Sequence, residues 1–208
     1  MNIVLFGPPG SGKGTQAIRL ENNLGITRIT TGDILRQAAE SSDEIKQILS
    51  EGNLVSNELI CQLVLGRLQQ DDCQAGCLFD GFPRTVQQAQ FLLQHGITID
   101  CFIELEVNDE SIVERLSGRR VHLPSGRTYH IDALPPRVEG IDDVTGEPLS
   151  VRSDDQPDRI RNRLKVYHEE TAPVKAFYND QSNTVMHSVD GMLDQELIEQ
   201  NIRDLLNH

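Results

Sequence analysis

The sequence predicts an α/β fold: a parallel sheet with helices packed on its faces. Three observations carry this. Short apolar runs alternate with longer segments of helical periodicity, the order that parallel strands joined by crossover helices produce. The first run, Ile3 to Phe6, passes directly into the glycine-rich stretch Gly7-Pro8-Pro9-Gly10-Ser11-Gly12-Lys13-Gly14-Thr15 and then into a helical segment. Of the 208 residues, 38% are apolar and 25% charged, a globular composition at a length that suits one large domain carrying inserted pieces.

Taken in order, the strands expected are Ile3 to Phe6, Ile26 to Ile29, Cys77 to Asp80, Cys101 to Val107 and Thr184 to Val189. Helices fill the gaps where their ends can be read. Lys13 to Asn23 stops near Gly25, and Asn57 to Gln70 is entered from Ser56 with Leu59, Ile60, Leu63 and Val64 on one face. Asn108 caps a helix ending at Gly118, and Asp194 to Leu206 forms an amphipathic one at the carboxyl end. Pro157 to Tyr178 has one proline near a first turn and Pro173 inside, which predicts a kinked helix or two in series. The stretch from Arg119 to Gln156 breaks the rhythm with Pro124, Pro135, Pro136, Pro148 and several glycines, and short β-like pieces such as Arg127 to Ile131 mark it as an inserted subdomain.

Charge and cysteine usage narrow the function classes. A net charge of −13 argues against nucleic-acid or anionic-membrane binding, since both need a broad basic face. The apolar start is too short for a signal-peptide core and no window approaches a membrane span. Cys61, Cys73, Cys77 and Cys101 include no C-x-x-C pair, so they are read as buried thiols of a reducing cytosol. With no Trp and nine Phe plus Tyr, the core is expected to be mainly aliphatic.

The glycine-rich stretch is the strongest motif, because it lies between a strand and a helix. Glycines let consecutive N–H groups turn inward onto phosphate oxygens, the helix start adds partial positive charge, and Lys13 reaches the outer phosphates. Gly14 follows the lysine, so the hydroxyl falls at Thr15 rather than immediately after it. Asp80-Gly81-Phe82-Pro83-Arg84 ends another strand: an acid there is placed for a Mg²⁺ water shell, and Arg84 offers a planar fork to phosphate. Thr85-x-x-Gln88 matches a capping box, so Gln88 reads equally as helix cap or ligand contact. Thr31-Gly32-Asp33 with Arg36 is a third candidate, in which Thr31 is expected to cap a helix. Arginine outnumbers lysine 15 to 4, and nine arginines lie between Arg115 and Arg163, against eight acids there. That local balance of +1 leaves −14 for the rest of the chain, so an acidic protein concentrates its cations where phosphate would be handled. Arg127, Arg137, Arg159 and Arg161 also read as solvated surface charges.

These residues resemble the adenylate kinase family. GPPGSGKGT, TTGDILR, DGFPRT, GRRVHLPSGRTYH and VRSDDQPDRIRNRL match its signatures in order over nearly the whole chain. The resemblance implies a P-loop three-layer fold with a five-stranded parallel sheet. The core would comprise residues 1–29, 56–117 and 157–208, with an inserted monophosphate-binding subdomain at 30–55 and a lid at 118–156. It implies reversible, Mg²⁺-dependent transfer from ATP to AMP giving two ADP, in a cytoplasmic monomer with no nucleic-acid or membrane partner.

By the same resemblance, Gly10, Ser11, Gly12, Lys13, Gly14 and Thr15 cradle the ATP phosphates. Arg115 stacks on the ATP adenine, the backbone at Thr128 and Tyr129 meets ATP, and Leu193 marks the adenine-edge contact. Thr31, Arg36, Gly81, Phe82, Pro83, Arg84 and Gln88 resemble AMP contacts, with the backbone of Asn53, Leu54 and Val55 shaping that pocket. Arg119 and Arg152 close over the transferring group from the lid, Arg152 and Arg163 also serve the AMP side, and Asp154 with Asp155 forms a hinge acid pair. The catalytic set is then Lys13, Arg84, Arg119, Arg152 and Arg163, with Mg²⁺ held through water by Asp80 and by Asp33.

Some positions depart from the family pattern. The segment between Arg36 and Gly52 is a few residues short, which predicts a trimmed helix or turn, and Asn57 stands where an acid is usual. In the lid, where some relatives bind zinc through paired cysteines, this chain has His122-x-x-Ser125 and Asp142-x-x-Thr145. That is a poor zinc set, so a hydrogen-bonded knot and no structural metal are expected. The nearer functional rival is a kinase for UMP, CMP or GMP; a nucleotide sensor would dispense with the acceptor arginines Arg36 and Arg84, and their presence argues against it. A regulatory GTPase would ordinarily carry NKxD, which does not occur.

Overall fold

A computed structural model describes residues 1–50, 55–152 and 155–207. Its core sheet is built from β1 (Ile3–Phe6), β2 (Thr27–Thr30), β3 (Cys77–Asp80), β4 (Cys101–Glu106) and a late strand, β7 (Val185–Asp190). The order is β2-β3-β1-β4-β7 and every pairing is parallel. A separate antiparallel pair, β5 (Arg119–Val121) and β6 (Thr128–His130), lies in the inserted 118–156 stretch. The helices are α1 (Lys13–Leu24), α2 (Thr31–Ser41), α3 (Asp43–Ser50), α4 (Asn57–Leu68), α5 (Val86–Gln94), α6 (Asp109–Gly118), α7 (Pro157–Val166), α8 (Pro173–Asn179) and α9 (Gln195–Leu206).

Alternation along the strands sorts the core into two layers. Val4, Phe6, Phe79 and Phe102 pack against α4, α5 and α8, while Ile3, Leu5, Leu78, Ile103 and Leu105 pack against α1 and α9. A third cluster, Ile112 and Leu116 of α6 with Ile160 and Leu164 of α7, fixes the helix that leads into the 118–156 stretch. All four cysteines are free and buried, and burial pushes the Cys77 thiol up to about 12 and Cys101 to about 11. Among the described residues no helix is long and apolar enough to cross a membrane.

Most predicted ends hold: Ser56, Asn108 and Asp194 cap α4, α6 and α9 with side-chain bonds to Leu59 N, Ser111 N and Glu196 N. The Pro157 segment is two helices in series, joined by a π-helical turn over Tyr167–Thr171. Two expectations change. The second strand runs to Thr30 because Thr30 pairs with Asp80, so Thr30, not Thr31, caps α2 by accepting from Asp33 N at 3.1 Å. The shift leaves the Thr31 hydroxyl out of the cap, buried and facing Arg84. α5 follows Thr85, whose hydroxyl accepts from Gln88 N at 3.2 Å, but the returning half of the box is displaced: Gln88 Oε1 accepts from Arg84 N instead.

Candidate active site

The glycine-rich loop leaves the end of β1, the middle strand of the five, and enters α1 with no side-chain cap. Unlike α2, α4, α5 and α6, which are capped by Thr30, Ser56, Thr85 and Asn108, α1 has no side-chain cap on its first N–H groups, the arrangement an anion can use. Gly10 has φ +86°, and a Cβ there would come within 2.8 Å of Leu116 on α6, so loop and helix approach closer than any side chain permits. Ser11 is buried. Lys13 Nζ folds back over the loop, donating to Gly7 O at 2.5 Å, Pro8 O at 2.8 Å and Ser11 Oγ at 3.3 Å. Burial lowers its pKa to about 8, with the charges of Arg84 and Arg163 acting the same way and Asp80 opposing.

Asp80 ends β3 level with Leu5 of β1 and Thr30 of β2, and its Oδ2 lies 3.5 Å from where a Cβ on Gly14 would stand. Burial raises its pKa against the pull of Lys13, Arg28 and Arg84, so this carboxylate sits where a cation is welcome. After the turn at Gly81, Phe82 is buried and Arg84 Nε donates to Gly81 O at 2.7 Å, with one terminal N–H reaching Thr31 Oγ1 at 3.4 Å. Burial lowers the Arg84 pKa, and Asp80 partly restores it. Arg36, exposed, pairs with Asp33. Burial disfavours the Asp33 charge, yet hydrogen bonds from Thr30 and Arg36 and the charges of Arg36 and Arg28 outweigh it and hold the carboxyl below its ordinary value.

Gln88 is buried: its backbone N–H joins the α5 cap, and its side-chain amide accepts from Arg84 N and donates to Asn57. Arg28 was not singled out from sequence. It stands in β2 with 3.6 Å to Asp33 Oδ2, 3.9 Å to Asp80 Oδ2 and 3.1 Å to Glu21, so one guanidinium links the two acids expected around Mg²⁺. The only local signal was a lone arginine inside an otherwise β-like run.

On the lid side, Arg119 grips buried Asp155 with two bonds, 2.6 and 2.8 Å, and Arg163 reaches the same carboxylate at 3.4 Å. Arg161, two residues from Arg163, instead pairs with exposed Asp158, as helix geometry requires of neighbours on different faces. Arg152 is half-buried at the lid base and its carbonyl accepts from Asp155 N. Arg115 is half-buried on α6, Leu193 packs at the edge of the α1 and α9 layer, and Val55 is half-buried. Asn53, Leu54 and Asp154 lie outside the described residues.

The hydrogen-bonded knot in the lid forms and is larger than expected. His122 meets Ser125 Oγ and Glu147, each at 2.6 Å, and Thr145 Oγ1 donates to Asp142 at 2.9 Å. Arg127, read also as a solvated charge, instead makes a two-bond pair with Asp142 at 2.7 and 2.9 Å, and Tyr129 OH donates to the same carboxylate. The Tyr129 side chain is thus committed to the lid interior, leaving its backbone beside Thr128 in β6. Arg127 first, with Thr145 and Tyr129, holds the Asp142 carboxyl far below the usual range despite burial. A depressed folded pKa adds stability above the unfolded value and loses it as pH falls below about 4. Lid amide signals in NMR spectra are therefore expected to lose dispersion on acidification below that point before the core does, and Asp142→Asn to show the same loss at neutral pH.

A glycine-rich loop on the middle strand, with Lys13, Arg84 and Arg163 brought near it from separate elements, fits one class: a P-loop nucleoside monophosphate kinase. The family model described as adenylate kinase matches residues 5–183, well over half of the 208 residues. The chain belongs to the adenylate kinase family.

Proposed function

We propose that the protein transfers the γ-phosphoryl group of ATP to AMP, reversibly, giving two ADP. The observation that carries this is the gathering of Asp80, Arg84 and Arg163 within electrostatic reach of Lys13, with the Arg84 side chain reaching Thr31 and its backbone N–H reaching Gln88 on the acceptor side. A phosphate on each side of Arg84 would share that guanidinium. The AMP phosphate is already ionised and nucleophilic, so no side chain has to activate it. The protein must bring two polyanions together and neutralise charge on the transferred group, which is the work of Lys13, Arg84, Arg119, Arg152 and Arg163.

Asp80 fits a Mg²⁺ bound to ATP through water, since its buried carboxylate faces the loop; Asp33, already paired with Arg36 and Arg28, is the outer partner. When bound, the ion supplies positive charge to the phosphate oxygens. Residues 30–55 and 118–156 are the parts proposed to close, which keeps water from replacing AMP as acceptor. The lid knot stands in this proposal where relatives would hold a structural zinc, and the buried free thiols suit a reducing cytoplasm, in which the protein is proposed to act as a monomer.

The test is ADP formation from ATP with AMP, GMP, UMP, CMP and water in turn. AMP is expected to give the highest kcat/KM and water almost none. Preference for another monophosphate, or hydrolysis equal to transfer, overturns the reading. Stoichiometric zinc in chelator-washed protein would sink the metal-free lid.

A further inference from the structure

We infer that Asn57 is a positioning residue that sets the orientation of the Gln88 amide and, through it, base selectivity at the acceptor site. The inference rests on the reading that Gln88 faces the acceptor base. Hydrogen-bond chemistry fixes the arrangement. The Arg84 backbone N–H can only donate, so the Gln88 atom 2.7 Å from it is the carbonyl Oε1. The amide nitrogen Nε2 is then the atom 2.6 Å from Asn57, and since Nε2 can only donate, Asn57 presents Oδ1. Three elements meet in this lock: the turn after β3, the first turn of α5 and the first residue of α4.

Held at both atoms, the amide has its flip and its plane fixed. Oε1 retains a second lone pair and Nε2 a second N–H beyond these bonds, an acceptor beside a donor. Adenine presents a matching donor and acceptor, N6–H and N1. Guanine and uracil present the reverse, a carbonyl oxygen beside a ring N–H, and would need the amide turned over. Without Asn57 the amide is tethered only at Arg84 N and can swing about that bond, so part of the discrimination goes. Asn57 is itself exposed and Ser56 caps α4, so the helix does not depend on the Asn57 side chain.

The experiment compares wild type with Asn57→Ala, Asn57→Asp and Gln88→Ala, measuring kcat and KM for AMP, GMP, CMP and UMP, with thermal melts as a folding check. Asn57→Ala is expected to raise the AMP KM by roughly three- to tenfold, the worth of one hydrogen bond, and to lower the AMP-over-GMP preference by a similar factor. The ATP KM should stay put, and Asn57→Asp, which keeps an acceptor oxygen, should restore AMP binding. A structural role alone would lower the melting temperature without moving the base preference. If Gln88→Ala erodes base preference while Asn57→Ala does not, or if the aspartate variant fails as badly as alanine, the inference is overturned with the Gln88 reading intact. If Gln88→Ala leaves preference untouched, the reading itself falls. Should wild type favour another monophosphate, the AMP assignment fails, and Asn57 is judged by whether Asn57→Ala weakens that preference instead.

Discussion

Lys13→Ala is expected to lower turnover at least about tenfold, equivalent to roughly 1.4 kcal/mol or more of barrier. The ammonium is held over the loop by Gly7 O, Pro8 O and Ser11 Oγ, where it can exchange those weak acceptors for phosphate oxygens without moving far. Because burial has lowered its pKa to about 8, the bare protein should lose this charge in mildly alkaline solution. kcat/KM for ATP reports the free protein, so it should decline above about pH 8, and the decline should be absent in the alanine variant. Stability moves the other way. Between about 8 and the ordinary lysine value the unfolded chain binds more protons, so the contribution of this group rises with pH, and below pH 8 its burial cost stands in full. Ligand-free Lys13→Ala should therefore melt no lower than wild type at pH 7, and a lower melting temperature would count against the account.

Arg84→Ala is the second large effect, again at least about tenfold in turnover, with Arg84→Lys close behind. The Arg84 side chain is exposed at the mouth of the loop, near enough to Lys13 for their charges to act on one another, and its bonds to Gly81 O and Thr31 Oγ1 occupy only part of its N–H fork. On the proposed function that free part of the fork receives phosphate, and a lysine cannot bridge two phosphates with a planar fork. Removing it should leave the ligand-free melting temperature unchanged or raised while activity collapses. Near-normal rates in both Lys13→Ala and Arg84→Ala would refute the assignment of the phosphate machinery, and a parallel fall of stability and activity would make Arg84 structural.

Local signals made much of this legible. A four-residue apolar run followed by glycines marks β1 and its loop because burial on both faces leaves no polar position, and Ser56, Asn108 and Asp194 cap helices by a rule that acts within three residues. Thr30 and Thr31 show the limit of local reading. Either threonine can cap, and the choice is made by where β2 stops, which depends on pairing with Asp80, fifty residues away along the chain. Contacts between distant positions were out of reach altogether: Arg28 with Asp80, Gln88 with Asn57 and Arg127 with Asp142 each join elements whose register no single stretch encodes. Arg127 read as solvated because a charged residue in a proline-rich insertion gives no sign of the carboxylate that will enclose it.

The pairing that places Asp80 level with both Leu5 and Thr30 has an evolutionary side. The groups proposed to handle phosphate, Lys13, Asp80 and Arg84, follow the ends of the neighbouring strands β1 and β3, spaced by a rigid backbone ladder, whereas the β5–β6 pair forms a separate sheet. Such a layout separates what must not vary from what can. A lineage could shorten the 37–52 stretch, or trade a metal-bound lid for the Arg127–Asp142 network, without shifting the reacting centre. On the proposed function, substrate preference and closing speed would then be adjustable parts on a fixed chassis, open to change one piece at a time.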